Sequence, residues 1–220
     1  MSGRNSHRES EARKSVPKAV VAAGRTALLS FLLAAGPANA GSPGVDQTFS
    51  LDQRFSSIDF SVRNLGLFAS EGAFRRFQTR LVLNNSHPER TKISVAVDAG
   101  SVDMSWHEAA EMLRSADFFD VQRYPEVRYQ SSSVQELAPG HFTIRGLIQI
   151  RGVTQPLTLQ AELTKQSQDL SDHSQIDDFV VHASLRRSAF GMTADKVFIS
   201  DNVNIIIKAR LKLPQAFNAD

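Results

Sequence analysis

The 220-residue sequence contains no cysteine. Its fold therefore cannot depend on disulfide bonds, even in an oxidising compartment. Thiol catalysis, haem attachment through cysteine and cysteine-ligated metal sites are excluded for the same reason. Tyrosine and tryptophan are also scarce, with two residues and one residue, whereas there are 14 phenylalanines. Large apolar surfaces must be built mainly from phenylalanine and aliphatic side chains.

Short motifs of common enzyme classes are absent as well. The sequence has no nucleophile elbow G-x-S-x-G, no P-loop pattern G-x-x-x-x-G-K-[ST] and no dinucleotide-binding G-x-G-x-x-G. In His107-Glu108-Ala109-Ala110-Glu111, Glu111 stands where the zinc motif H-E-x-x-H requires its second histidine. A solvated helix face is the better interpretation of that segment. We expect no catalytic residues, no metal and no cofactor, while an enzyme acting on a bound lipid or quinone stays open because strands can bring distant residues together.

The N-terminal apolar run, from Thr26 to Ala35, is about half as long as a bilayer-spanning helix. A basic stretch precedes it, and Gly36-Pro37 with the small residues Ala38 and Ala40 follows it. This order is typical of a secretory signal peptide. We predict a signal peptide over 1–40, cleaved after Ala40, and a single domain over 41–220 in the periplasm, without stable membrane insertion.

The excess of basic over acidic residues in the whole chain comes from the predicted signal peptide. The net charge of the whole chain is +2, but residues 1–40 hold six of the 25 Lys and Arg and two of the 23 Asp and Glu. The remaining 19 basic and 21 acidic residues give the predicted domain a net charge of −2. Nucleic acid is therefore not an expected partner.

From Thr48 onward, apolar and polar residues alternate with a period of two between turn-forming residues, which is typical of antiparallel strands with one buried face. About eight strands are predicted, near 47–63, 75–84, 91–98, 126–134, 141–150, 155–164, 179–187 and 202–213. Their connections are too short for parallel crossovers. The expected fold is all-β, a closed antiparallel lipocalin-like β-barrel whose interior is packed or holds one small ligand.

Two segments are patterned most clearly. In the last predicted strand, the apolar residues from Val203 to Leu211 alternate with polar ones, and Ile206 is the one apolar residue on the outer face. Ser105, with Glu108 three residues on, predicts the start of one helix ending near Arg114. Its apolar side, formed by Trp106, Ala109, Ala110 and Leu113, is expected to cap the barrel.

Nine short segments then match a known family in order and spacing. They are SIDFSV at 57–62, LG at 65–66, GAF at 72–74 with Phe77, SVD at 101–103, LRSADFFD at 113–120, YP at 124–125, IRG at 144–146, IRGVT at 150–154 and RSAFG at 187–191. Over nearly its whole predicted domain the chain resembles the YceI-like, polyisoprenoid-binding family of bacterial periplasmic proteins.

That resemblance implies an elongated barrel that holds a long isoprenoid, of the quinone or polyprenyl phosphate type, as a binding or carrier protein. It implies ligand-binding roles for Ile58, Phe60, Val62, Leu65, Phe68, Phe74, Phe77, Leu81, Trp106, Leu113, Phe118, Phe119, Ile148, Arg187 and Phe190. Phe55 and Asn64 stand where many members carry histidine, so the preferred head group is open. A homodimer is open as well.

Two questions are left open by the residues themselves. A solid core and a ligand-lined lumen would use the same phenylalanines, so a ligand-free interaction module is an alternative to a carrier. Arg187 is predicted either to hold a polar ligand end through charge-assisted hydrogen bonds or to pair with a surface carboxylate.

The signal peptide leads to a first prediction. The mature protein should be soluble and begin at Gly41. N-terminal sequencing of the protein from the periplasmic fraction checks this expectation, and recovery of the full-length chain from the membrane pellet would refute it.

Overall fold

The structure is a computed structural model that describes residues 46–65, 67–84 and 90–213. The predicted signal peptide and the start of the predicted domain lie outside the described residues. Eleven strands occur in the described residues: β1 (Asp46–Phe49), β2 (Ser57–Asn64), β3 (Phe68–Phe74), β4 (Phe77–Asn84), β5 (Lys92–Asp98), β6 (Val102–Met104), β7 (Glu126–Ala138), β8 (His141–Ile150), β9 (Val153–Gln168), β10 (Gln175–Arg186) and β11 (Ile199–Leu213).

One helix, α1 (His107–Arg114), follows β6, and single turns of 3-10 helix occupy Ala99–Ser101 and Arg187–Phe190. In the described part of the chain, no helix is long and apolar enough to cross a membrane.

All strands belong to one antiparallel sheet in the order β1-β4-β5-β7-β8-β9-β10-β11-β2-β3-β6. The segment that begins with β1 pairs with β4 and then reaches β11. Leu51 forms a bridge with Leu211, and the Asp52 N–H donates to the Arg210 carbonyl at 3.0 Å. Since β4 and β11 are far apart in the sheet order, the sheet is curled around its inner face.

A bend between β3 and β4 adds to this curl. Only Arg75 and Arg76 separate the two strands, yet β3 pairs with β2 while β4 pairs with β5. The bend is held by the Arg75 N–H, which donates to the Ser101 carbonyl at 3.2 Å, and by the Asp98 N–H, which donates to the Arg76 carbonyl at 3.0 Å. The strands β3 and β4 are therefore almost continuous in the chain but belong to two separate parts of the sheet.

The prediction of an all-β antiparallel fold with one helix is confirmed, but the strand count differs. The predicted strand over 47–63 is two strands, because the Asp52 carboxylate accepts the Arg54 N–H at 3.0 Å and turns the chain. Strands β3 and β6 were not predicted. The strands predicted near 155–164 and 179–187 are longer than expected: β9 continues to Gln168 and β10 begins at Gln175, so the turn between them is confined to 169–174.

The helix begins later than predicted. Its N-cap is Trp106, which makes no capping hydrogen bond through its side chain, so the predicted capping role of Ser105 is wrong. The end of α1 is held by Arg114, whose guanidinium donates to the Gly100 carbonyl at 3.0 Å and to the Val102 carbonyl at 2.5 Å. These bonds fix the helix against β6.

Alternation along the long strands fills the inner face with apolar side chains. In β9 and β10 the buried residues are every second one, including Leu157, Leu159 and Ala161 and then Phe179 and Val181. In β11, the alternation predicted between Val203 and Leu211 is confirmed, because every second residue is turned toward the interior. Ile206 is 39% exposed on the other face. A separate small cluster of Ile58, Phe77 and Val97 packs near the bend.

One inward position is charged. Asp177 is fully buried, and its carboxylate accepts hydrogen bonds from the side-chain amides of Gln175 at 2.9 Å and Gln166 at 3.2 Å. Burial raises the pKa of Asp177, although these bonds oppose the shift. The next residue, Asp178, binds Arg210 at 2.6 Å, and this hydrogen bond lowers the pKa of Asp178. The two neighbours should affect stability with opposite signs.

We predict that Asp177→Asn raises the free energy of unfolding at neutral pH by about 1 kcal/mol, because it removes a buried charge that two amide hydrogen bonds compensate only in part. The gain should shrink as pH falls through the raised pKa of Asp177, where the wild-type carboxyl becomes neutral. Asp178→Asn should destabilise at neutral pH, and its deficit should vanish only as pH falls through the lowered pKa of Asp178. Urea unfolding at neutral pH and at about pH 4 separates the two variants, because at about pH 4 the gain of Asp177→Asn should have shrunk while the deficit of Asp178→Asn persists. A destabilised Asp177→Asn at neutral pH would contradict the assignment.

Candidate binding cavity

Two apolar cavities lie inside the curled sheet. The large cavity, of about 350 Å³, is bounded by α1 and by inward residues of β2, β3 and β5 to β11. The small cavity, of about 150 Å³, lies between residues of β4, β5 and β7 to β11, among them Leu81, Phe142, Ala161, Phe179 and Leu211. The interior of the described fold is therefore not packed solid.

Ten of the fifteen predicted site residues line the large cavity. They are Ile58, Phe60, Val62, Phe74, Trp106, Leu113, Phe118, Phe119, Ile148 and Arg187. The structure thus brings together residues from the first predicted strand, the helix, the segment after the helix and β8. Their contact with a ligand stays a prediction.

The other five residues lie elsewhere. Leu81 lines the small cavity, while Phe77 packs with Ile58 and Val97 and Phe190 is buried in the main apolar core. Leu65 and Phe68 are 61% and 70% exposed at the turn between β2 and β3. Phe68 shares the face of Ser70 and Phe74, but it sits at the end of the strand. Leu65 is in the turn itself, with a left-handed φ of 49°.

Many lining residues were not predicted. They include the methionines 104, 112 and 192, the polar residues Asn64 and Ser70, and a set of aliphatic residues on β5, β7, β9 and β11. The alternation in β11 had already placed Val203, Ile205 and Ile207 on one face. That signal was sufficient to assign them to the inward face of the strand, and the structure shows that this face lines the cavity. The methionines carry no comparable signal in the sequence.

Aromatic side chains cover the helix side of the large cavity. Phe74 lies between Phe60 and Phe119, with ring centroids 5.5 Å apart in both pairs. Gly72 makes this possible, because a Cβ there would meet the Phe60 ring and the Met104 sulfur, the latter at 2.5 Å. Phe119 is held beside the helix by its N–H, which donates to the Leu113 carbonyl at 2.9 Å. The cavity wall next to α1 is therefore apolar and closely packed.

Tyr129 places a hydroxyl group in the wall of the large cavity. Its ring crosses Gly146, where a Cβ would lie 2.6 Å from the hydroxyl oxygen. The hydroxyl donates only long hydrogen bonds, of 3.3 Å to the Ile144 carbonyl and 3.5 Å to the Leu157 carbonyl. Burial raises the pKa of Tyr129 to about 12, so the group is neutral at physiological pH.

A second polar spot lies where β2 ends and β3 begins. The side-chain amide of Asn64 donates to the Ser70 hydroxyl at 2.5 Å, and both residues line the large cavity. The Asn64 carbonyl oxygen Oδ1 is buried and has no hydrogen-bond partner among the described residues. A buried acceptor of this kind is costly when unpaired.

Arg187 is one of the few polar residues in the wall of the large cavity. The side chain is buried, with only 3% of the residue exposed. Its guanidinium donates to the carbonyls of Met192 (2.9 Å), Ala194 (2.7 Å), Ile199 (2.8 Å) and Ser200 (3.0 Å). Four of its five N–H groups are thus engaged by backbone. Arg187 holds the loop before β11, and its predicted contact with a ligand head group stays a prediction.

Titratable groups are few in this wall. Of the described residues that line the large cavity, only Tyr129 and Arg187 have ionisable side chains, and both are buried. His107 instead lies on the exposed side of α1, with its Nε2 3.8 Å from a carboxylate oxygen of Glu111. No group of three or more His, Asp or Glu that could hold a metal ion occurs within the described ranges. The arrangement is suited to enclosing an apolar molecule.

Comparison with known proteins agrees with this geometry. The family model described as the YceI-like domain matches residues 49–211. A UPF0312 protein of Serratia proteamaculans is 28% identical over 177 residues, which cover 80% of this chain and 89% of the relative. Protein YceI of Salmonella arizonae is 28% identical over 180 residues, covering 82% and 91%.

Two solved structures are similar in fold. BcnA of Burkholderia cenocepacia matches with a TM-score of 0.65 and 18% identity, covering 73% of this chain and 98% of BcnA. A polyisoprenoid-binding domain from Saccharophagus degradans, implicated in plant cell wall breakdown, matches with a TM-score of 0.56 and 14% identity, covering 76% and 98%. At these identities the structures establish the fold.

The position of Arg187 leads to a prediction. Arg187→Met should lower the free energy of unfolding by about 3 kcal/mol or more, because four carbonyl groups lose a charged donor. Amide hydrogen exchange in residues 192–200 should accelerate. Arg186→Met is the matched control, since Arg186 is the adjacent arginine and is exposed. Equal stability of the two variants would show that the four hydrogen bonds contribute nothing.

Proposed function

The chain belongs to the YceI-like family, and on that premise we propose that it binds a long apolar isoprenoid inside its curled sheet and carries it in the periplasm. The observation that supports this proposal most strongly is the large cavity, whose wall is almost entirely apolar. Each methylene group moved from water into such a space contributes about 0.8 kcal/mol. A prenyl tail can therefore be held without covalent chemistry.

A closed barrel is part of this proposal. The segment from β1 to Asp52, which reaches from β4 to β11, would join the two sides of the sheet. The bend at Arg75 and Arg76 would join them a second time, since β3 and β4 pair with different partners. Closure would keep water away from a bound tail on all sides.

The head group is proposed to be neutral, such as a quinone or an alcohol. Arg187 is the cation in the described wall of the large cavity, and four of its N–H groups already bind carbonyls. Asn64 and Ser70 form a neutral polar spot where β2 ends and β3 begins. A phosphate needs several free donors or cations, whereas a carbonyl or hydroxyl group needs one or two hydrogen bonds.

Binding without catalysis is also part of the proposal. A nucleophile and a base within hydrogen-bond reach of each other are the usual mark of covalent catalysis. The titratable groups of the described wall are a tyrosine with a raised pKa and an arginine bound to backbone. The polar groups that are present suit orientation of a ligand better than reaction with it.

Two adjacent isoleucines give a matched test. Ile205 lines the large cavity, whereas Ile206 is 39% exposed on the opposite face of β11. Ile205→Asp should abolish retention of isoprenoid lipid, because an unpaired carboxylate in an apolar cavity is costly. Ile206→Asp should bind as the wild type does. Lipid extracted from each purified variant, quantified by mass spectrometry, gives the readout.

The same experiment has a milder form, since Ile205→Asp can also destabilise the fold. Ile205→Thr keeps the β-branched shape, adds one hydroxyl group and should retain a reduced amount of lipid. Circular dichroism confirms folding of each variant. A folded Ile205→Asp variant that keeps its full lipid content would overturn the proposed site.

A further inference from the structure

Six strands, β5 and β7 to β11, line both cavities, and on three of them one residue is shared. On β11, Ile205 faces the large cavity, Ala209 faces the small cavity, and Ile207 lies between them and lines both. Leu159 on β9 and Val95 on β5 are shared in the same way. We call Val95, Leu159 and Ile207 the collar.

The collar residues lie on three different strands and line the place where the two cavities share a wall. In the sheet order, β7 and β8 separate β5 from β9, and β10 separates β9 from β11. All three side chains are aliphatic, so displacing them breaks no hydrogen bond. A chain can pass between them at the cost of changes in side-chain rotamer.

The small cavity adds considerable length to the large one. Along β11, the large cavity extends from Ile199 to the collar at Ile207, which is about 26 Å at the rise of a β-strand. From Ile199 to Leu211, at the far side of the small cavity, the distance is about 40 Å. The described lumen is thus about one and a half times as long as the large cavity alone.

We infer that the two cavities form one ligand path and that side chains beyond the collar determine which chain lengths are bound tightly. The inference rests on the proposed function, since it concerns the far end of the same apolar ligand. A chain that ends at the collar gains nothing from the small cavity. Each further methylene group buried beyond it increases the affinity about fourfold.

Two alanines beyond the collar allow this inference to be tested. Ala161 on β9 and Ala209 on β11 line the small cavity and leave the large cavity untouched. Ala161→Phe and Ala209→Phe place a ring in the small cavity, which has room for it. Thr158→Phe is the matched control, because Thr158 lies on the same strand as Ala161 and is exposed.

Trp106 provides the signal for titrations. It lines the large cavity and is the only tryptophan of the sequence. The probes are farnesol, geranylgeraniol and solanesol, all-trans prenyl alcohols of increasing length, delivered from cyclodextrin. For the wild type and Thr158→Phe, the affinity should rise at least about tenfold from farnesol to solanesol. Ala161→Phe and Ala209→Phe should bind farnesol as the wild type does. Their affinity should not increase from farnesol to solanesol.

The outcomes separate the two proposals. If the wild type binds none of the three alcohols, the proposed function fails and this inference fails with it. If the wild type binds all three with equal affinity, or if the rise persists in folded Ala161→Phe and Ala209→Phe, the small cavity does not take the chain end. Equal losses for short and long alcohols would likewise overturn the inference. Using two sites, each checked by circular dichroism, prevents misfolding of one variant from deciding the result.

Discussion

The apolar side chains on the inner face of a curled antiparallel sheet need apolar neighbours across the interior, because they stabilise the fold only when they are removed from water. The long strands meet this requirement by placing an apolar residue at every second position, as in Leu157, Leu159 and Ala161 of β9. A one-residue slip in register would turn this whole set outward. The lumen follows from the same constraint, since the inward side chains surround two cavities without filling them.

The structure around the lumen is organised by a few polar contacts at its ends. Arg114 fixes α1 to β6, and Arg187 binds two carbonyls of the loop that leads into β11 and two at the start of β11. These arginines act on backbone carbonyl groups, so they stabilise loops without placing carboxylates inside the apolar wall. Asp177 is the exception among the described inward residues of β10, and its buried carboxylate is held by two glutamine side chains.

The sequence was sufficient for the fold class and for much of the cavity wall. Period-two alternation placed Val203, Ile205 and Ile207 on one face, and the family resemblance selected Phe60 and Phe119. It was insufficient where tertiary pairing overrides local preference. Strand β3 has the sequence FASEGAF, in which small and charged residues hide a strand that β2 holds in register. The role of Arg187 could not be read, because its partners are backbone carbonyls, which leave no signature in the sequence.

The central claim is that the lumen holds an isoprenoid chain, and the most direct measurement is native mass spectrometry of the protein purified without detergent, followed by lipid extraction. The account predicts a protein population with an added mass, and an extracted lipid built of repeating isoprene units. Protein that carries no added mass, or that carries a lipid without isoprene units, would contradict it.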